Sequence, residues 1–443
     1  MIKKLSTKLI PDPKRVVLMF FQLNAVRKLN EVRTKRVIQM VLSLKEVEVQ
    51  NILGNVFVEF SKRHRRFEEI LSSNYLRIKK FISFSESLSN DRKLLLGAYF
   101  SKEYSISSAA LFNPSIVPHP DQTKLDIGSL RFVMSLRATG EGHISSIEFR
   151  EGVIDKNSDI HLQKNSRYSN FPKRIKLHRD DILNKKLKYT NKSTSEIRDL
   201  LDSHYVCNFS EEFPLSERVL FPYSKSECMG MEDARFVRFV DKNDYTYFGT
   251  YTAYNGRKFR PQIIETKDFR KFEIGTLHGN SIKDKGIALF PRKIKNKYVI
   301  TSRLDSENIF IMSSDDLYHW NDARVIKTSE HPWEYIQVGN CGSPIETDKG
   351  WILITHAVGP MRKYVISAVL LDLEDPSKVI GSLEDPLIQP TEEEREGYVP
   401  NVVYSCGSIV HRNNLIIPYA FSDSACGFAR VGISELLKKL KWH

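Results

Sequence analysis

Two carboxylates and a guanidinium lie within one short segment of the chain. Residues 230–235 read Gly-Met-Glu-Asp-Ala-Arg and lead into the strand-like run FVRFVDKNDYTYFGTYTAY. The segment is either a charged turn between two strands or an acid, Asp233, held beside Glu232 and Arg235 at a β-rich site. A nearby arginine lowers the pKa of a carboxyl, and a nearby glutamate raises it. Acid–base chemistry is therefore the first hypothesis.

Cations stand at the ends of several other strand-like runs. Lys285 lies beside a glycine before the run ALF, Arg303 follows YVITS, and Arg257 and Arg260 follow YTAYNG. Cations that converge from several strand ends could hold a phosphate through charge-assisted hydrogen bonds. The alternative is scattered surface Lys and Arg, which spacing alone does not exclude.

The stretch SLRATGEGH adds a second polar segment. Strand alternation would place Arg137, Thr139 and Glu141 on one face, whereas the simpler interpretation is a solvated hairpin. The chain has no Walker loop, GxSxG elbow, HExxH motif or Rossmann fingerprint, and nothing specific supports a Ser or Cys triad. Carboxylates set among aromatic residues favour glycosyl transfer or hydrolysis, in which a carboxylic acid protonates a leaving oxygen.

Two kinds of sequence must position these residues. Residues 1–100 carry apolar side chains at helical spacing, such as Val37, Val41 and Leu44, and almost no Gly or Pro between 15 and 96. They predict a helical N-terminal module. Residues 101–443 consist of short runs rich in Val, Ile, Tyr, Phe and Trp between turn residues, which predicts an all-β domain.

A weak internal repeat suggests how the strands are arranged. ETKDFRKF at 265–272 and SSDDLYHW at 313–320 both place an Asp and an apolar residue before an aromatic residue. This spacing suits the four-stranded blade of a β-propeller, whose inner strand ends meet at one central pocket. Residues 155–200, rich in Lys, Asn and Ser, predict an insertion or a long surface loop.

Charge and composition limit the functional class. The net charge is +13, and residues 1–100 contain 20 Lys and Arg against 9 Asp and Glu. This excess is typical of a solvated helix face, and no nucleic-acid motif accompanies it. No run has the length of a membrane span, and the N-terminal residues are too polar for a secretory signal, so we expect a cytoplasmic protein. Five separated cysteines without a CxxC pair predict neither a disulfide framework nor a zinc site.

Several ordered motifs between residues 105 and 443 carry a family resemblance. MGMEDARFVRF and YTYFGTYTAYNG, DKGIALFPRKIKNKYVITSR, GNCGSPIETDKGWILITHAV, EREGYVPNVVYSCG and YAFSDSACGFA follow one another in the chain. They resemble the core of glycoside hydrolase family 130, the β-mannoside phosphorylases and related β-mannosidases. The resemblance implies a five-bladed β-propeller, with the helical residues 1–100 outside the catalytic core.

The resemblance also implies a reaction. Asp233 matches the family's catalytic acid, which acts through the 3-hydroxyl of the mannose, while phosphate attacks the anomeric carbon and gives α-mannose 1-phosphate with inversion. Lys285, Arg303 and either Arg257 or Arg260 match the phosphate site. Asn113, Arg137 and Asp423 match sugar contacts of the family. Glu232, which would position the acid, and Glu141 of the polar hairpin are the other expected substrate-binding residues. No cofactor or metal is implied, and the partners are a β-mannoside and inorganic phosphate. From their helical character alone, the hypothesis for residues 1–100 is a subunit interface or a cover over the pocket of a neighbouring propeller.

Three departures from the family pattern leave alternatives open. Ala234 replaces a proline, Gly286 follows Lys285 where an Asp is usual, and Ser302 replaces a histidine that contacts phosphate. An inverting β-mannosidase that uses water would need a carboxylate base. The candidates for that base are Glu141, Glu265, Asp305 and Glu307. A propeller that binds glycans without turnover is a third hypothesis.

Overall fold

The computed structural model describes residues 2–22, 27–82, 87–177, 182 and 200–443. Contacts divide the chain into two units, which we call the strand unit and the helical unit. The strand unit comprises Met1–Asp12, Ser107–Asn165 and Phe171–His443. The helical unit comprises Pro13–Ile106 and Ser166–Asn170.

Most helices lie in the first quarter of the chain and most strands in the remainder. The helices of the described residues are α1 (Arg27–Leu42), α2 (Glu46–Phe60), α3 (Phe67–Ile78), α4 (Asn90–Tyr99) and α5 (Ile433–Lys439). The first fourteen strands are β1 (Lys3–Lys4), β2 (Val16–Phe20), β3 (Ser101–Ser105), β4 (Ala110–Pro118), β5 (Leu130–Thr139), β6 (Ser145–Ile154), β7 (Ile160–Leu162), β8 (Lys173–Lys176), β9 (Tyr205–Asn208), β10 (Val219–Leu220), β11 (Gly230–Asp241), β12 (Asp244–Tyr254), β13 (Phe259–Thr266) and β14 (Lys271–Thr276). The later strands are β15 (Ala288–Leu289), β16 (Tyr298–Ser302), β17 (Ile309–Ser314), β18 (Ala323–Lys327), β19 (Gln337–Asn340), β20 (Ile345–Thr347), β21 (Gly350–Val358), β22 (Tyr364–Leu371), β23 (Val379–Ser382), β24 (Val403–Tyr404), β25 (Ile409–His411), β26 (Asn414–Phe421), β27 (Ala425–Gly432) and β28 (Lys441–Trp442).

The helical unit packs α1–α4 around one apolar core, beside the antiparallel pair β2 and β3. Arg92 on α4 helps to fix the end of α1. Its guanidinium donates to the carbonyl oxygens of Val41 at 2.6 Å and Leu44 at 2.8 Å, and it pairs with Glu46 at 2.7 Å. The last carbonyls of a helix have no partner within the helix, so this cation satisfies groups that would otherwise be unpaired.

The strand unit consists of antiparallel sheets whose strands mostly follow one another in sequence. In the described part of the chain, one group, β4–β5–β6, pairs with β11–β12–β13–β14–β9–β8 at a single parallel position, Gly230 with Ser145. The next sheets are β15–β18, then β19–β21–β22–β23–β28, and finally β24–β26–β27–β1. The predicted strand-rich architecture is confirmed, and each sheet buries apolar side chains against its neighbours.

The internal repeat falls at equivalent turns of two consecutive sheets. Asp268 lies between β13 and β14, and its Oδ1 accepts from the backbone N–H of Arg270 at 2.9 Å. Asp316 lies between β17 and β18, and its Oδ1 accepts from the N–H of Tyr318 at 2.8 Å. An Asp that hydrogen-bonds the backbone two residues later closes a tight turn. The repeat therefore marks the same Asp-closed turn in these two sheets.

Two other sequence features are only partly covered. Within the predicted insertion at 155–200, the structure describes residues 155–177, 182 and 200, which include β7 and β8. The remainder of that stretch lies outside the described residues. No helix in the described part of the chain is long and apolar enough to cross a bilayer.

The close crossing of α3 and α4 yields a prediction. A Cβ added at Gly97 would lie 2.0 Å from the carbonyl oxygen of Leu71, so α3 would have to move. We expect Gly97→Ala to lower the free energy of unfolding of the helical unit by about 2–3 kcal/mol. Chemical denaturation followed by circular dichroism measures this change.

Gly54 provides the matched control, because it lies on α2 with no atom within 4 Å of an added Cβ. Gly54→Ala should stabilise the protein by about 0.5–1 kcal/mol through helix propensity. Equal effects of the two substitutions would contradict the close packing at Gly97.

Candidate active site

The charged segment at the start of β11 is a β-bulge. Glu232 pairs with Thr252 and Arg235 with Thr250, so β11 has one more residue than β12 between the two pairs. Asp233 lies in this interval with φ +55°. A bulge bends the strand and redirects a side chain. The acidic pair is therefore neither a solvated turn nor a regular strand.

A second bulge on β4 places Asn113 beside Asp233. Phe112 pairs with Arg137 and Ser115 with Ser135, and Asn113 has φ +50°. The Asn113 Nδ2 donates to Asp233 Oδ1 at 2.7 Å.

Asp423, at the turn between β26 and β27, also has positive φ, at +47°. Asn and Asp tolerate the left-handed region better than other non-glycine residues. Such strained positions cluster at functional sites, where the surrounding structure holds them. The same conformation thus recurs at Asn113, Asp233 and Asp423.

Arg137 on β5 ties the two carboxylates together. Its Nη1 donates to Asp233 Oδ1 at 3.1 Å, and its Nη2 donates to Glu232 Oε1 at 2.9 Å. Its Nε donates to Ser145 Oγ at 2.9 Å, and the guanidinium lies 4.9 Å from the ring centroid of Phe112. All three nitrogens of this arginine are engaged, which fixes both carboxylates.

Lys285 provides a second cation at the same place. Its Nζ donates to Glu232 Oε2 at 3.2 Å and lies 3.9 Å from the ring centroid of Phe259. Glu232 therefore bridges Arg137 and Lys285, with one carboxylate oxygen on each cation. It holds two cations next to Asp233.

Arg235 points into the protein instead of the pocket. It is 2% exposed, and its guanidinium donates to the carbonyl of Asn340 at 2.6 Å and to the Tyr404 hydroxyl at 2.7 Å. It contributes a fixed positive charge behind Asp233 and orients Tyr404.

These side chains surround a pocket of about 190 Å³. This volume lies below the roughly 300–1,000 Å³ of pockets for drug-sized ligands, so the pocket suits a small polar ligand. Its lining residues are Asn113, Arg137, Asp233, Lys285, Arg303, Arg362, Tyr364, Val399, Val402, Tyr404 and Asp423.

The two acids of the pocket differ in proton affinity. Burial by itself would raise the pKa of Asp233, but Arg137, Lys285, the Asn113 hydrogen bond and Arg235 together bring that pKa well below its usual value. Asp233 is therefore ionised in the free protein.

Burial and the nearby Asp233 charge raise the pKa of Asp423 to about 6, despite the opposing effect of Arg137 and Arg362. Two acids with separated pKa values are a common arrangement in acid–base sites. In the free protein, Asp423 is the acid of this pair that binds a proton nearer to neutral pH.

The structure brings most of the predicted site residues together. Asn113, Arg137, Asp233, Lys285, Arg303 and Asp423 line the pocket, and Glu232 contacts two of them. Arg257 and Arg260 instead line a separate pocket of about 370 Å³ with Lys225 and Lys258. Glu141 lies on an exposed turn and does not line the pocket of Asp233.

The candidate bases for hydrolysis lie elsewhere. Glu265 is on β13, where it pairs with Phe248 and Glu273. Asp305 accepts from the backbone N–H of Asn308 at 2.9 Å in the loop after β16, and Glu307 is exposed in that loop. Neither Glu265, Asp305 nor Glu307 is among the pocket's lining residues.

Three residues that line the pocket were not predicted from the sequence: Arg362, Tyr364 and Tyr404. Tyr364 begins β22, Tyr404 ends β24, and Arg362 precedes β22. Tyr404 lies within the quoted motif EREGYVPNVVYSCG, so an aromatic hydroxyl inside a family motif was the available signal. In the described part of the chain, no group of three or more His, Cys, Asp or Glu side chains is placed to hold a metal ion.

Comparisons with known proteins place the chain in a family. The model of glycoside hydrolase family 130, described as β-1,4-mannooligosaccharide phosphorylase, matches residues 184–442, more than half of the chain. The chain belongs to glycoside hydrolase family 130.

Curated relatives match over about half of the chain. A 1,2-β-oligomannan phosphorylase from Thermoanaerobacter sp. (strain X514) is 37% identical over 228 residues, which cover 50% of this chain and 75% of that protein. A β-1,2-mannobiose phosphorylase from Listeria innocua serovar 6a is 31% identical over 239 residues, which cover 52% of this chain and 65% of that protein.

Solved structures extend the likeness of the fold. β-1,2-mannobiose phosphorylase from Listeria innocua, in complex with β-1,2-mannobiose, gives a TM-score of 0.50 at 24% identity and covers 76% of this chain and 92% of that chain. A structure described with family 130 hydrolases that target β-1,2-mannosidic linkages gives a TM-score of 0.51 at 18% identity. It covers 75% of this chain and 87% of that chain. Because phosphorylase and hydrolase share this fold, the site has to separate them.

The raised pKa of Asp423 gives a prediction on stability. A carboxyl whose folded pKa exceeds its unfolded value stabilises the folded state below the unfolded pKa, and this contribution is lost as the pH rises through the folded pKa, here about 6. Above that pH, the partly buried carboxylate opposes folding. Asp423→Asn removes the charge and should raise the free energy of unfolding by about 1–2 kcal/mol near pH 8, and by little near pH 4.

Urea denaturation at the two pH values measures this difference. Asp385→Asn is the control, because Asp385 is exposed and outside the pocket. A stabilisation by Asp423→Asn that is equal at both pH values would contradict the prediction.

Proposed function

We propose that this protein is an inverting β-mannoside phosphorylase. The observation that carries the proposal is a single pocket in which an Asp stands beside Arg137, Lys285 and Arg303. Three cations around a sugar-sized pocket exceed what a neutral sugar requires, whereas a phosphate dianion uses them in charge-assisted hydrogen bonds. The similarity to a 1,2-β-oligomannan phosphorylase and a β-1,2-mannobiose phosphorylase supports the same activity.

Asp233 is the proposed catalytic acid. Its proton passes through the 3-hydroxyl of the bound mannose to the glycosidic oxygen as the bond from that oxygen to the anomeric carbon breaks. A phosphate oxygen forms the new bond to the anomeric carbon from the opposite face. The products are α-mannose 1-phosphate and the shortened mannoside.

The phosphate site and the catalytic acid are coupled electrostatically through Lys285. Lys285 is one of the cations that lower the pKa of Asp233. When phosphate binds at Lys285 and Arg303, its negative charge offsets these cations, and the pKa of Asp233 rises toward the range of a useful acid. The enzyme thus acquires its acid when its co-substrate is bound, which disfavours cleavage without phosphate.

Hydrolysis is the weaker alternative. An inverting hydrolase needs a carboxylate base about 6.5–9.5 Å from the acid, with room for water between them. Among the described residues that line the pocket, Asp423 is the one carboxylate besides Asp233. Glu141, Glu265, Asp305 and Glu307 line no part of it.

The substrates named for the relatives indicate which glycosidic linkage this protein cleaves. The first three curated relatives carry names for β-1,2-linked substrates, and the β-1,4-specific relative is less similar, at 30% identity over 167 residues. We therefore propose β-1,2-linked mannosides as the preferred substrates.

We also propose that the sheets form a five-bladed propeller. The described residues of the strand unit form five antiparallel strand groups, if the two whose strands pair at the single position Gly230 and Ser145 are counted separately. The first strand, β1, pairs with β27 in the last group. Such pairing of the chain's beginning with its last sheet would close a ring.

Product analysis tests the proposed function. β-1,2-Mannobiose is incubated with and without inorganic phosphate, and the sugars are separated by anion-exchange chromatography. We expect α-mannose 1-phosphate only with phosphate. Free mannose at equal rates in both conditions would instead establish hydrolysis.

Two variants test the assigned roles in the same assay. Asp233→Asn should reduce kcat by about 10³-fold or more while sugar affinity changes little. Lys285→Ala should raise KM for phosphate more than KM for the mannoside. Turnover that survives in Asp233→Asn would refute the acid assignment, and a protein that binds mannobiose without ever turning it over would be a glycan-binding propeller.

We propose further that the helical unit mediates self-association. Its helices expose apolar side chains, among them Met40 at 58% and Val58 at 81% of their surface. Val32 accompanies Met40 on α1 and Val47 accompanies Val58 on α2, and Val32 and Val47 are each exposed over more than 60% of their surface. Exposed apolar surface larger than a single residue marks an interaction site.

Light scattering tests this proposal. Met40→Glu with Val58→Glu should reduce the solution mass of the protein, whereas Ile127→Glu, at a still more exposed position of the strand unit, should not. A wild-type mass equal to one chain would refute the proposal.

A further inference from the structure

The helical unit contains a cavity of about 410 Å³ whose walls come from α2, α3, α4, β2 and β3. It reaches Leu71 and Leu95, which are each 1% exposed and belong to the core of the unit. Tyr99, which is 43% exposed, also lines it, so the cavity opens to solvent. Protein interiors leave few voids larger than a water molecule, and this volume falls in the range of small-molecule sites.

Apolar side chains form the body of the cavity. Ile52, Val56 and Phe60 follow one another at intervals of four residues on α2, so they share one face of that helix. Ala98 contributes a small side chain from α4, which leaves space beside it. Apolar cavities hold water poorly and take apolar ligands. The body of a ligand for this cavity is therefore apolar.

The polar wall of the cavity is formed by Ser101, Lys102 and Glu103, which are consecutive on β3. Glu103 is already paired, because Arg63 donates to its two oxygens at 2.7 and 2.9 Å and His64 Nε2 lies 2.8 Å from Oε1. Lys102 adds a second cation beside this carboxylate. The polar end of the cavity thus carries more positive than negative charge.

A basic segment extends this positive charge along the rim. Residues 62–66 read Lys-Arg-His-Arg-Arg and connect α2 to α3 between Phe60 and Phe67, which both line the cavity. The Lys and the three Arg of the segment are exposed, whereas His64 is buried. Burial lowers the pKa of His64, so its ring is neutral near neutral pH. Exposed cations next to an apolar cavity attract a ligand with an anionic end.

We propose that this cavity binds a small amphiphile with an apolar chain and an anionic head, of the class of medium-chain fatty acids. The chain lies among the apolar side chains of α2, α3 and α4, and the head pairs with Lys102. A neutral head would forgo this ion pair, and a cationic head would be repelled by the rim. No residue that lines this cavity also lines the pocket of Asp233, so the inference does not depend on the phosphorylase function.

Isothermal titration with three ten-carbon probes tests the proposal. The probes are decanoate, decanol and decyltrimethylammonium, each kept below its micelle or solubility limit. We expect one decanoate to bind per chain and decanol to bind about five- to tenfold more weakly, because it lacks the charge-assisted contact with Lys102. The cationic probe should bind most weakly of the three.

Two variants separate the role of the cavity from that of the cation. Ala98→Phe fills the cavity with a ring and should weaken decanoate and decanol alike, by about tenfold or more. Lys102→Gln removes the charge and should weaken decanoate by about five- to tenfold while decanol changes little. Thermal unfolding of each variant shows that the helical unit remains folded.

Matched controls change the same chemistry outside the cavity. Lys35→Gln removes an exposed cation on α1, and Leu76→Phe adds a ring at an exposed position on α3. Both should leave the affinity for decanoate unchanged. The proposal is overturned if the wild-type protein binds no decanoate, or binds several molecules with an affinity that Ala98→Phe and Lys102→Gln do not alter.

Light scattering separates a small ligand from a second copy of the chain as the occupant. If Ala98→Phe lowers the solution mass of the ligand-free protein, the cavity is a contact between copies and the proposal is overturned. An unchanged mass together with lost decanoate binding supports the ligand site. Should Ala98→Phe fail to fold, Lys102→Gln and the three probes decide the question.

Discussion

The guanidinium of Arg137 holds the carboxylates of Glu232 and Asp233 at one edge of the pocket, and the other polar contacts there are arranged around this bridge. A buried carboxylate is costly unless it is paired and hydrogen-bonded. Two adjacent acids would also repel one another. Arg137 offsets both costs because it donates one nitrogen to each carboxylate and a third to Ser145. The remaining acceptor of Glu232 is then available to Lys285.

The backbone is bent to make this bridge possible. The bulges on β4 and β11 carry Asn113 and Asp233, both with positive φ, and they bring the two side chains within 2.7 Å. A regular strand would alternate these side chains between the two faces of the sheet. The strain is concentrated in residue types that tolerate it, since Asn and Asp enter the left-handed region at low cost.

Lys285 interacts electrostatically with several groups of the pocket. Lys285 pairs with Glu232, lowers the pKa of Asp233 and faces the proposed phosphate site. In the proposed mechanism one cation links the anion, the acid and Glu232, so phosphate bound at Lys285 would raise the pKa of Asp233.

The sequence by itself determined the strand-rich character of the chain after residue 105, the helical character before it, and the position of Asp233 within a family motif. These features are local, since periodicity, turn residues and motif spacing are written in neighbouring positions. It also identified six side chains that line one pocket, because motif residues at strand ends tend to converge. Only the tertiary structure decided that Arg257 and Arg260 line another pocket and that Glu141 is exposed on a turn. It alone brought Tyr404 and His356 beside Arg303, because these residues meet through packing between strands far apart in the chain, and local sequence does not encode which distant strands become neighbours.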